Sequence, residues 1–425
     1  MKRTNVFTLV PSFEQEKVMF KVALGCAKLW NELTYQRRQA YFNYQPIEWY
    51  PKNLYQKYAP LVGSATAQQI INKNNEAWKS FLALKKLEKN GEPLGCMKTV
   101  KPPKYWKDGD GKYKLMTILR GDCYKLENGM MKLPRELKVP FKGKPKWVGK
   151  QSRAEIVHDD LDRRWRVFQT VETWSSIQPK GSKTCHIDLG ILNLATIWVE
   201  GWKQSIAFSG RGLLSDWWYW TKRIAEHQSQ LKEVNDKHTS KRLRRLYRIR
   251  QRRFRHAVNA MVRTIVKDLY DLGVSRIVIG NLKHIRDSNE ENSHKINSMI
   301  HNFWSFQYIV QRIKDVAEEH GIEVEEVSEY KTSTRCPRCG SENTERTGRL
   351  FKCLNCGLEA HRDAVGVLNI GSRQGENING VVAYPLLLRW NGMRWEPKRA
   401  MNNRSNEHSR SKNLPTLVVE SVKAC

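Results

Sequence analysis

The order of apolar and polar positions divides the first part of the chain into three segments. Residues 1–12 contain an alternating, strand-like run, whereas residues 13–96 carry apolar side chains at helical spacing. From residue 97 to about 180 the runs are short, alternate in polarity and are broken by Pro and Gly, as is typical of β structure. The pattern predicts a small β domain, 1–12 and 97–180, into which a helical domain, 13–96, is inserted.

A different pattern begins at Thr184 and predicts an α/β sheet. Three short strands come first, as in a meander, and strands then alternate with helices. This is the order of an RNase H-like fold. Residues 373–425 are polar and low in apolar content, which predicts a mostly flexible tail. The expected elements are strands at 184–190, 194–199, 205–209, 275–280 and 322–327, a long helical region at 216–272 and a helix at 303–320.

The chain also carries a large excess of positive charge. Its 425 residues include 74 Lys and Arg against 43 Asp and Glu, a formal net charge of +31. Because so large an excess repels itself in the compact state, it predicts a polyanionic partner. No apolar run reaches the roughly 18 residues that a membrane span needs, and Met1–Ser12 lacks the apolar core of a signal peptide. We therefore expect nucleic acid as the partner, no membrane contact, and a cytoplasmic location.

The most basic segment of the chain is also amphipathic. Residues 241–255 contain nine Lys and Arg and no acid, and apolar residues such as Leu243 and Phe254 recur on one side. We expect this helix to dock on the sheet and to direct its cations toward phosphates, although a charge run can also be a merely solvated face. The candidate nucleic-acid ligands are Arg244, Arg245, Arg248 and Arg252 in this helix and Lys101 and Lys104 in the β domain.

Four of the nine cysteines form two Cys-x-x-Cys pairs, Cys336 with Cys339 and Cys353 with Cys356, each followed by Gly. Two thiolates at this spacing can bind one metal ion, and two such pairs complete a closed tetrahedral site of four sulfurs. Since a closed site leaves no position for substrate, we expect a structural Zn²⁺ that folds residues 332–357 into a zinc ribbon. Chance pairing or a redox-active pair is the alternative.

Two aspartates occupy positions that an RNase H-like sheet would bring together. Asp188 ends the first strand of that sheet, and Asp363 opens a helix directly after the cysteine pairs. Two Mg²⁺ ions about 4 Å apart need several shared carboxylates to activate water and to stabilise a leaving oxygen. Taken singly, Asp188 is typical of a turn and Asp363 of a helix cap. Their order around the cysteine pairs favours a catalytic role for both.

Several motifs in the second half of the chain resemble one known family. They are Asp188-Leu-Gly190 with Asn193-Leu-Ala195, Thr332-Ser-Thr-Arg-Cys-Pro-Arg-Cys-Gly340, Cys353-Leu-Asn-Cys-Gly357, His361-Arg-Asp363-Ala and Asn369-Ile. Together they resemble the TnpB (OrfB) proteins of insertion sequences and the related type V CRISPR effector nucleases. The resemblance is specific over residues 184–370 and looser over the amino-terminal half.

This resemblance implies an RNA-guided, Mg²⁺-dependent DNA endonuclease of a transposable element, which cuts beside a short flanking motif. It implies a RuvC-like nuclease domain over 181–331 and 358–372, with the zinc ribbon inserted at 332–357. It also implies a barrel-like, oligonucleotide-binding (WED-like) domain at 1–12 and 97–180 that carries the helical segment as a recognition lobe. The implied partners are a guide RNA from the transposon end and target double-stranded DNA, bound by a protein that is monomeric with its RNA. Two alternatives stay open: a nuclease-inactive RNA-guided repressor, and a protein-only transposase or transposition accessory protein.

The chain departs from the family pattern at one catalytic position. Where the family usually carries a Glu at the end of the fourth strand, this chain has Gly280. Either the nuclease is inactive, or one of three nearby acids, Glu325, Glu326 or Glu329, has replaced the lost one. Adjacent strands lie about 4.8 Å apart, so a Glu at the end of the next strand can reach the same metal ions. Glu329 matches the place, just before the Thr-Ser of the cysteine loop, where some similar proteins carry a relocated Glu. It is therefore the expected third catalytic residue.

Overall fold

The structure, a computed structural model, divides the chain into two compact units, Met1–Trp174 and Ser175–Cys425. Each unit has its own sheet and its own hydrophobic core. In the part of the chain that is described, no helix is long and apolar enough to cross a membrane. The described residues are 1–92, 94, 99–107, 111–174, 177–281 and 294–398, so the expected domain boundary at 96/97 and the tail residues 399–425 lie outside them.

The first unit combines an antiparallel sheet with three long helices. In chain order its elements are β1 (Lys2–Leu9), α1 (Phe13–Phe42), α2 (Lys52–Val62), α3 (Ser64–Lys89), β2 (Met116–Leu119), a 3-10 turn (Gly121–Cys123), β3 (Lys125–Glu127), β4 (Met130–Lys132), β5 (Lys138–Lys142), β6 (Lys150–Asp159) and β7 (Arg164–Glu172). The strand order is β2-β6-β7-β1-β5-β4-β3. Because only residues 120–124 join the edge strands β2 and β3, the two edges lie close and the sheet curls into a half-barrel.

Helix α1 and this sheet share one core. The Ser12 hydroxyl accepts a hydrogen bond from the Gln15 backbone N–H at 3.3 Å, and the Gln15 side chain accepts one from the Ser12 N–H at 2.9 Å. This capping box starts the helix directly after β1. Met19 and Ala23 then pack in the same cluster as Trp165 of the sheet. The helical and β segments, expected as separate domains, therefore fold within one unit.

The second unit contains a mixed sheet, a small antiparallel sheet and the helices that cover them. Its elements are β8 (Lys183–Asp188), β9 (Asn193–Val199), β10 (Gln204–Ser209), α4 (Arg211–Asn235), α5 (Lys241–Asp271), β11 (Val274–Asn281), α6 (His294–Ser298) with a π turn (Met299–Phe303), α7 (Phe306–Glu319), β12 (Glu323–Ser328), β13 (Thr344–Thr347), β14 (Leu350–Cys353), β15 (Glu359–His361), α8 (Arg362–Arg373), β16 (Val382–Trp390) and β17 (Trp395–Pro397).

The mixed sheet has the strand order β12-β11-β8-β9-β10-β16-β17. Strands β8, β9 and β10 form an antiparallel meander, while β11 pairs parallel to β8 and β12 pairs parallel to β11. The predicted order, a meander followed by strands that alternate with helices, is confirmed. Because β8, β11 and β12 are parallel, their carboxyl ends meet at one edge of the sheet.

The expectation of a mostly flexible tail from residue 373 is wrong for residues 382–397. Strand β16 pairs parallel to β10, and β17 pairs antiparallel to β16, so this segment extends the mixed sheet. Leu388 and Trp395 are buried, and the Trp395 indole N–H donates to the Ala257 carbonyl at 3.1 Å. An apolar run at 381–388 carries this strand, but polar stretches before and after it give the tail as a whole a low average hydrophobicity, which hid the run.

The basic helix α5 is docked, as its apolar stripe predicts. Leu243, Phe254, Val258 and Met261 are buried, and the Ser240 hydroxyl caps the helix by accepting the Leu243 N–H at 3.0 Å. The opposite side carries the Arg residues toward solvent. Docking of the apolar side thus fixes the direction in which the positive charge points.

Near the end of α5, Asp268 is a buried carboxylate that costs stability. Its Oδ2 atom has no hydrogen-bond partner among the described residues, and burial, reinforced by Asp271, raises the pKa of Asp268 to about 7. The folded state thus binds this proton more tightly than the unfolded chain does. The cost of Asp268 therefore grows as the pH rises from about 4 to about 7 and is complete above that range.

Replacing this acid by a neutral amide is expected to stabilise the protein. Asp268→Asn should raise the unfolding free energy at pH 8 by about 1–3 kcal/mol, since one pKa unit corresponds to about 1.4 kcal/mol. The gain should shrink toward pH 5, as urea unfolding at the two pH values would measure. Glu359→Gln is the control, because it removes only an exposed ion pair with Lys352, worth less than about 1 kcal/mol. A gain from Asp268→Asn that does not change with pH would contradict this account.

Candidate active site and metal centre

The three acids expected to be catalytic meet at the carboxyl edge of the mixed sheet. Asp188 is the last residue of β8, Glu329 follows β12 directly, and Asp363 lies in the first turn of α8. All three line one cleft of about 460 Å³, within the range of about 300–1,000 Å³ that is usual for ligand pockets. Side chains that are 175 positions apart in the sequence therefore share a single site.

Glu329 occupies the space in which a side chain at position 280 would lie. Strands β11 and β12 pair Gly280 with Val327 and Asn281 with Ser328, so Glu329 is the next residue beyond this ladder. A Cβ atom built on Gly280 would lie 1.9 Å from Oε1 of Glu329, far inside van der Waals contact. The absence of a side chain at 280 and the presence of the carboxylate at 329 are thus two parts of one arrangement.

A rigid turn holds Glu329 in this position. The Glu329 carbonyl accepts hydrogen bonds from the backbone N–H of Thr332 at 3.1 Å and from its hydroxyl at 3.0 Å. The Thr332 carbonyl in turn accepts the amide of Asn369, on α8, at 2.6 Å. The helix that carries Asp363 therefore also anchors the turn that carries Glu329.

The electrostatics of the cleft favour a bound cation. Burial raises the pKa of Asp188, the negative charges of Glu329 and Asp363 raise it further, and Arg362 and Arg349 oppose the rise. Burial also raises the pKa of Glu329, and its hydrogen bond with Asp188 partly offsets this. Oε1 of Glu329 is buried without a hydrogen-bond partner among the described residues. Carboxylate oxygens that are buried together and unsatisfied are the ligand set that hard divalent cations such as Mg²⁺ take.

Two residues that the sequence did not indicate hold Asp363. Asn193 donates its amide to Oδ2 of Asp363 at 2.7 Å, and Arg349 Nη1 lies 2.6 Å from Oδ1. Asn193 stands in one of the recognisable motifs, but no spacing rule assigned it this contact. Arg349 lies in the turn between β13 and β14, where the sequence shows only a turn glycine and a basic residue. Their side chains orient a carboxylate that is itself almost fully buried.

Close packing of α8 against the sheet sets the distance between the two aspartates. A Cβ atom on Gly366, in the middle of α8, would lie 2.6 Å from Oδ2 of Asp188. Only glycine therefore lets this helix approach β8 so closely. That approach brings Asp363, one turn earlier on the helix, over the end of the strand that carries Asp188.

The four paired cysteines form a second cluster beside the cleft. The sulfur atoms of Cys336, Cys339, Cys353 and Cys356 all lie within 4.8 Å of one another, and they are the one group of three or more metal-binding side chains this compact within the described residues. The backbone N–H of Ser341 and neighbouring side chains lower the pKa of Cys339 to about 6, which favours its thiolate form. This geometry suits one tetrahedral metal ion such as Zn²⁺.

The six expected nucleic-acid ligands lie in both units. Arg245 and Arg252 are exposed on α5, and Arg244 and Arg248 are half-buried on the same helix. In the first unit, Lys101 and Lys104 are exposed on the segment between α3 and β2. Their exposure is compatible with phosphate contact. The role itself stays a prediction.

Comparison with known proteins identifies the family. Residues 168–286 match the family model OrfB_IS605, described as "Probable transposase", and residues 306–370 match that of the Cas12f1-like TNB domain. Over 401 residues the chain is 32% identical to a TnpB-like protein of Acidianus two-tailed virus. The matched residues cover 87% of this chain and 86% of that protein. The chain belongs to the TnpB-like proteins, a family related to the type V CRISPR effector nucleases.

Two further likenesses support that relation. Over 113 residues the chain is 34% identical to the CRISPR-associated endodeoxyribonuclease Cas12f1 of Sulfoacidibacillus thermotolerans, covering 26% of this chain and 24% of that one. The fold of this chain resembles that of the protein in a Cas12f1–sgRNA–target DNA complex, with a TM-score of 0.55 at 15% identity. The match covers 85% of this chain and 83% of that one. At this identity the structural likeness concerns the fold alone.

Removal of a paired cysteine should release metal and loosen the cysteine cluster. Cys353→Ser, at a buried position, is expected to lower bound zinc by about one equivalent per chain and to expose the 332–357 segment to protease, because folding of such a segment depends on its metal. Cys339→Ser and Cys356→Ser should act in the same way. Elemental analysis and limited proteolysis measure both effects. Cys123→Ser, in the first unit, is the control and should change neither. A wild-type protein without zinc would contradict the assignment.

Proposed function

We propose that this protein is an RNA-guided DNA endonuclease encoded by a transposable element, with Asp188, Glu329 and Asp363 as its catalytic carboxylates. The observation that carries the proposal is the position of Glu329, whose carboxylate fills the space left by Gly280 beside Asp188. A family member that had simply lost its third acid would have no reason to bury a carboxylate there. The convergence favours a nuclease over the alternative that Gly280 suggests, an inactive RNA-guided repressor.

The catalytic unit proposed is a RuvC-like, RNase H-like domain formed by residues 181–331 and 358–372, together with strands β16 and β17 that extend its sheet. Bound Mg²⁺ would activate water and stabilise the leaving oxygen of a phosphodiester, and the three carboxylates would hold it. Asn193 and Arg349 keep Asp363 oriented toward the cleft, and the turn from Glu329 to Thr332 keeps Glu329 fixed. Such fixed groups need little reorganisation during the reaction.

The duplex of guide RNA and target DNA is proposed to be held outside the catalytic cleft. The proposed partners are a guide RNA from the transposon end and target DNA beside a short flanking motif. Support comes from the +31 charge, the Arg residues of α5 and the likeness to a Cas12f1 complex with guide RNA and target DNA. Residues 1–12 and 97–180 would form the WED-like oligonucleotide-binding domain, and 13–96 the recognition lobe. Residues 332–357 would form a zinc ribbon. We expect one protein per RNA, acting in the cytoplasm.

Moving the carboxylate between the two strands tests the catalytic assignment. Glu329→Ala is expected to lower Mg²⁺-dependent cutting of guided plasmid DNA at least about 100-fold, because a ligand shared by the metal ions is lost. Gly280→Glu alone should also inactivate, since its side chain would collide with Glu329. The double variant Gly280→Glu/Glu329→Gly restores one carboxylate to the same space and should regain part of the activity. All variants should keep guided DNA binding.

The controls separate nuclease from repressor. Asp188→Ala and Asp363→Ala should be as inactive as Glu329→Ala. Glu325→Ala lies on the same strand, where its exposed carboxylate pairs with Arg276, and should cut normally. Full activity of Glu329→Ala would overturn the role of that residue. A wild-type complex that binds its guided target tightly but does not cut would instead identify a repressor, and a protein that acts on DNA without RNA would identify a protein-only transposase.

The role of α5 is tested by the salt dependence of nucleic-acid binding. Neutralising Arg244, Arg248 and Arg252 together should weaken binding and reduce the slope of log affinity against log salt by roughly 2–3, since each phosphate contact contributes about 0.7–0.9. Binding titrations at several salt concentrations give the slope. A control with the same loss of charge, neutralising Arg276, Lys352 and Arg389, should change it little, because these exposed cations of the second unit lie outside α5. An unchanged slope in the Arg variant would mean that this helix does not contact phosphates.

A further inference from the structure

The residue after Glu329 is an exposed aromatic at the edge of the catalytic cleft. Tyr330 is one of the residues that line the cleft together with the three carboxylates, yet 73% of it is exposed. A single exposed tyrosine is ordinary on a protein surface. Its position directly beside a buried catalytic carboxylate is what calls for an explanation.

The backbone that presents Tyr330 is held as firmly as that of Glu329. The Tyr330 carbonyl accepts a hydrogen bond from Arg373 Nη2 at 2.5 Å, and its N–H donates to the Ser328 hydroxyl at 3.3 Å. Lys331, the next residue, has a φ of 59°, in the left-handed region that a lysine rarely adopts. The turn thus directs one side chain into the cleft and the next to its rim. A ring on a fixed backbone loses little entropy when it binds a flat ligand.

The rest of the cleft indicates what that ligand is. Arg349 and Arg362 line the same cavity and supply positive charge next to the carboxylates. A ligand with an anionic backbone and flat, apolar-faced groups matches both features, and a nucleic-acid strand has this composition. Single strands are held in this way, by cations along the backbone and by aromatic rings on which bases stack.

We propose that Tyr330 stacks on an unpaired base next to the scissile phosphate and so positions the strand that is cut. The proposal rests on the nuclease function above and adds a substrate-positioning residue to it. In a duplex both faces of a base are covered by its neighbours, so a ring at the rim gains a partner only when the strand is separated and the base unstacked.

The ring and the hydroxyl of Tyr330 are distinguished by two substitutions. With the guide RNA bound, Tyr330→Ala should lower kcat/KM on a labelled single strand roughly 5- to 100-fold, the range of one lost base stack. Tyr330→Phe keeps the ring and should cut as the wild type does. Tyr384→Ala removes another exposed tyrosine of the same unit, outside the cleft lining, and should have no effect. Because the Tyr330 ring is largely exposed, its loss should leave the unfolding midpoint unchanged.

A modified substrate tests the contact itself. If the bases beside the cut site are replaced by abasic residues, the wild type should lose as much activity as Tyr330→Ala loses on the intact strand, and Tyr330→Ala should lose no more. Independent, multiplying losses would overturn the proposal, as would a Tyr330→Phe variant as poor as Tyr330→Ala or a Tyr330→Ala variant equal to the wild type.

A binding measurement separates failure of this inference from failure of the proposed function. With Ca²⁺ in place of Mg²⁺, a single strand carrying 2-aminopurine beside the cut site should change fluorescence on binding to the wild type and to Tyr330→Phe, but not to Tyr330→Ala. If the wild type cuts no guided DNA, the nuclease proposal fails whatever the fluorescence shows. If it cuts and the three proteins give the same fluorescence, the stacking role of Tyr330 fails alone.

Discussion

The burial of several carboxylates at one edge of a sheet is the constraint on which the second unit depends. Asp188, Glu329 and Asp363 line one cleft, and burial together with mutual repulsion raises the pKa of Asp188. Such a cluster is unfavourable to assemble unless cations neutralise it. Three features keep the acids buried: the core of the sheet, the close approach of α8 and the hydrogen-bonded turn after β12. Without them, each carboxylate would turn toward water. A site that is costly to form and precisely supported is typical of catalysis.

Strand adjacency explains how a carboxylate can change its place in the sequence and keep its place in the site. Parallel neighbours lie about 4.8 Å apart, which is less than the reach of a glutamate side chain from a neighbouring strand end. The carboxylate of an acid at the end of β11 can therefore occupy the same space as that of an acid just after β12, but both cannot be present at once. The 1.9 Å approach of Glu329 Oε1 to a Cβ atom on Gly280 expresses that exclusion. A glycine at one position is thus what the acid at the other requires.

Most of the secondary structure of the second unit could be predicted from the sequence, because strong periodicity reports local burial. The meander, the basic helix α5 and the order of β11, α7 and β12 all follow from it. Strand β16 lies in an apolar run at 381–388, but polar stretches around it lower the average hydrophobicity of the tail, and its pairing with the distant β10 cannot be read from the run itself. Strand β17 pairs with β16 and, at three residues, is too short to leave a pattern. The cysteine pairs and two aspartates could be found from spacing. Arg349 and Asn193 could not, since their contacts with Asp363 depend on tertiary packing.

The same contacts connect the cysteine cluster to the cleft, although a closed four-sulfur site takes no part in chemistry. Arg349, which pairs with Asp363, lies in the turn between the two strands β13 and β14, and Cys353 ends the second of them. The Asn369 amide donates both to the Thr332 carbonyl and, at 2.7 Å, to that of Arg335, the residue before Cys336. A metal ion held by the four thiolates would therefore restrict the motion of Arg349, which orients Asp363, and of the turn that carries Glu329. Loss of that metal ion would leave Asp363 and Glu329 poorly positioned, while the sheet and Asp188 at the end of β8 would stay intact.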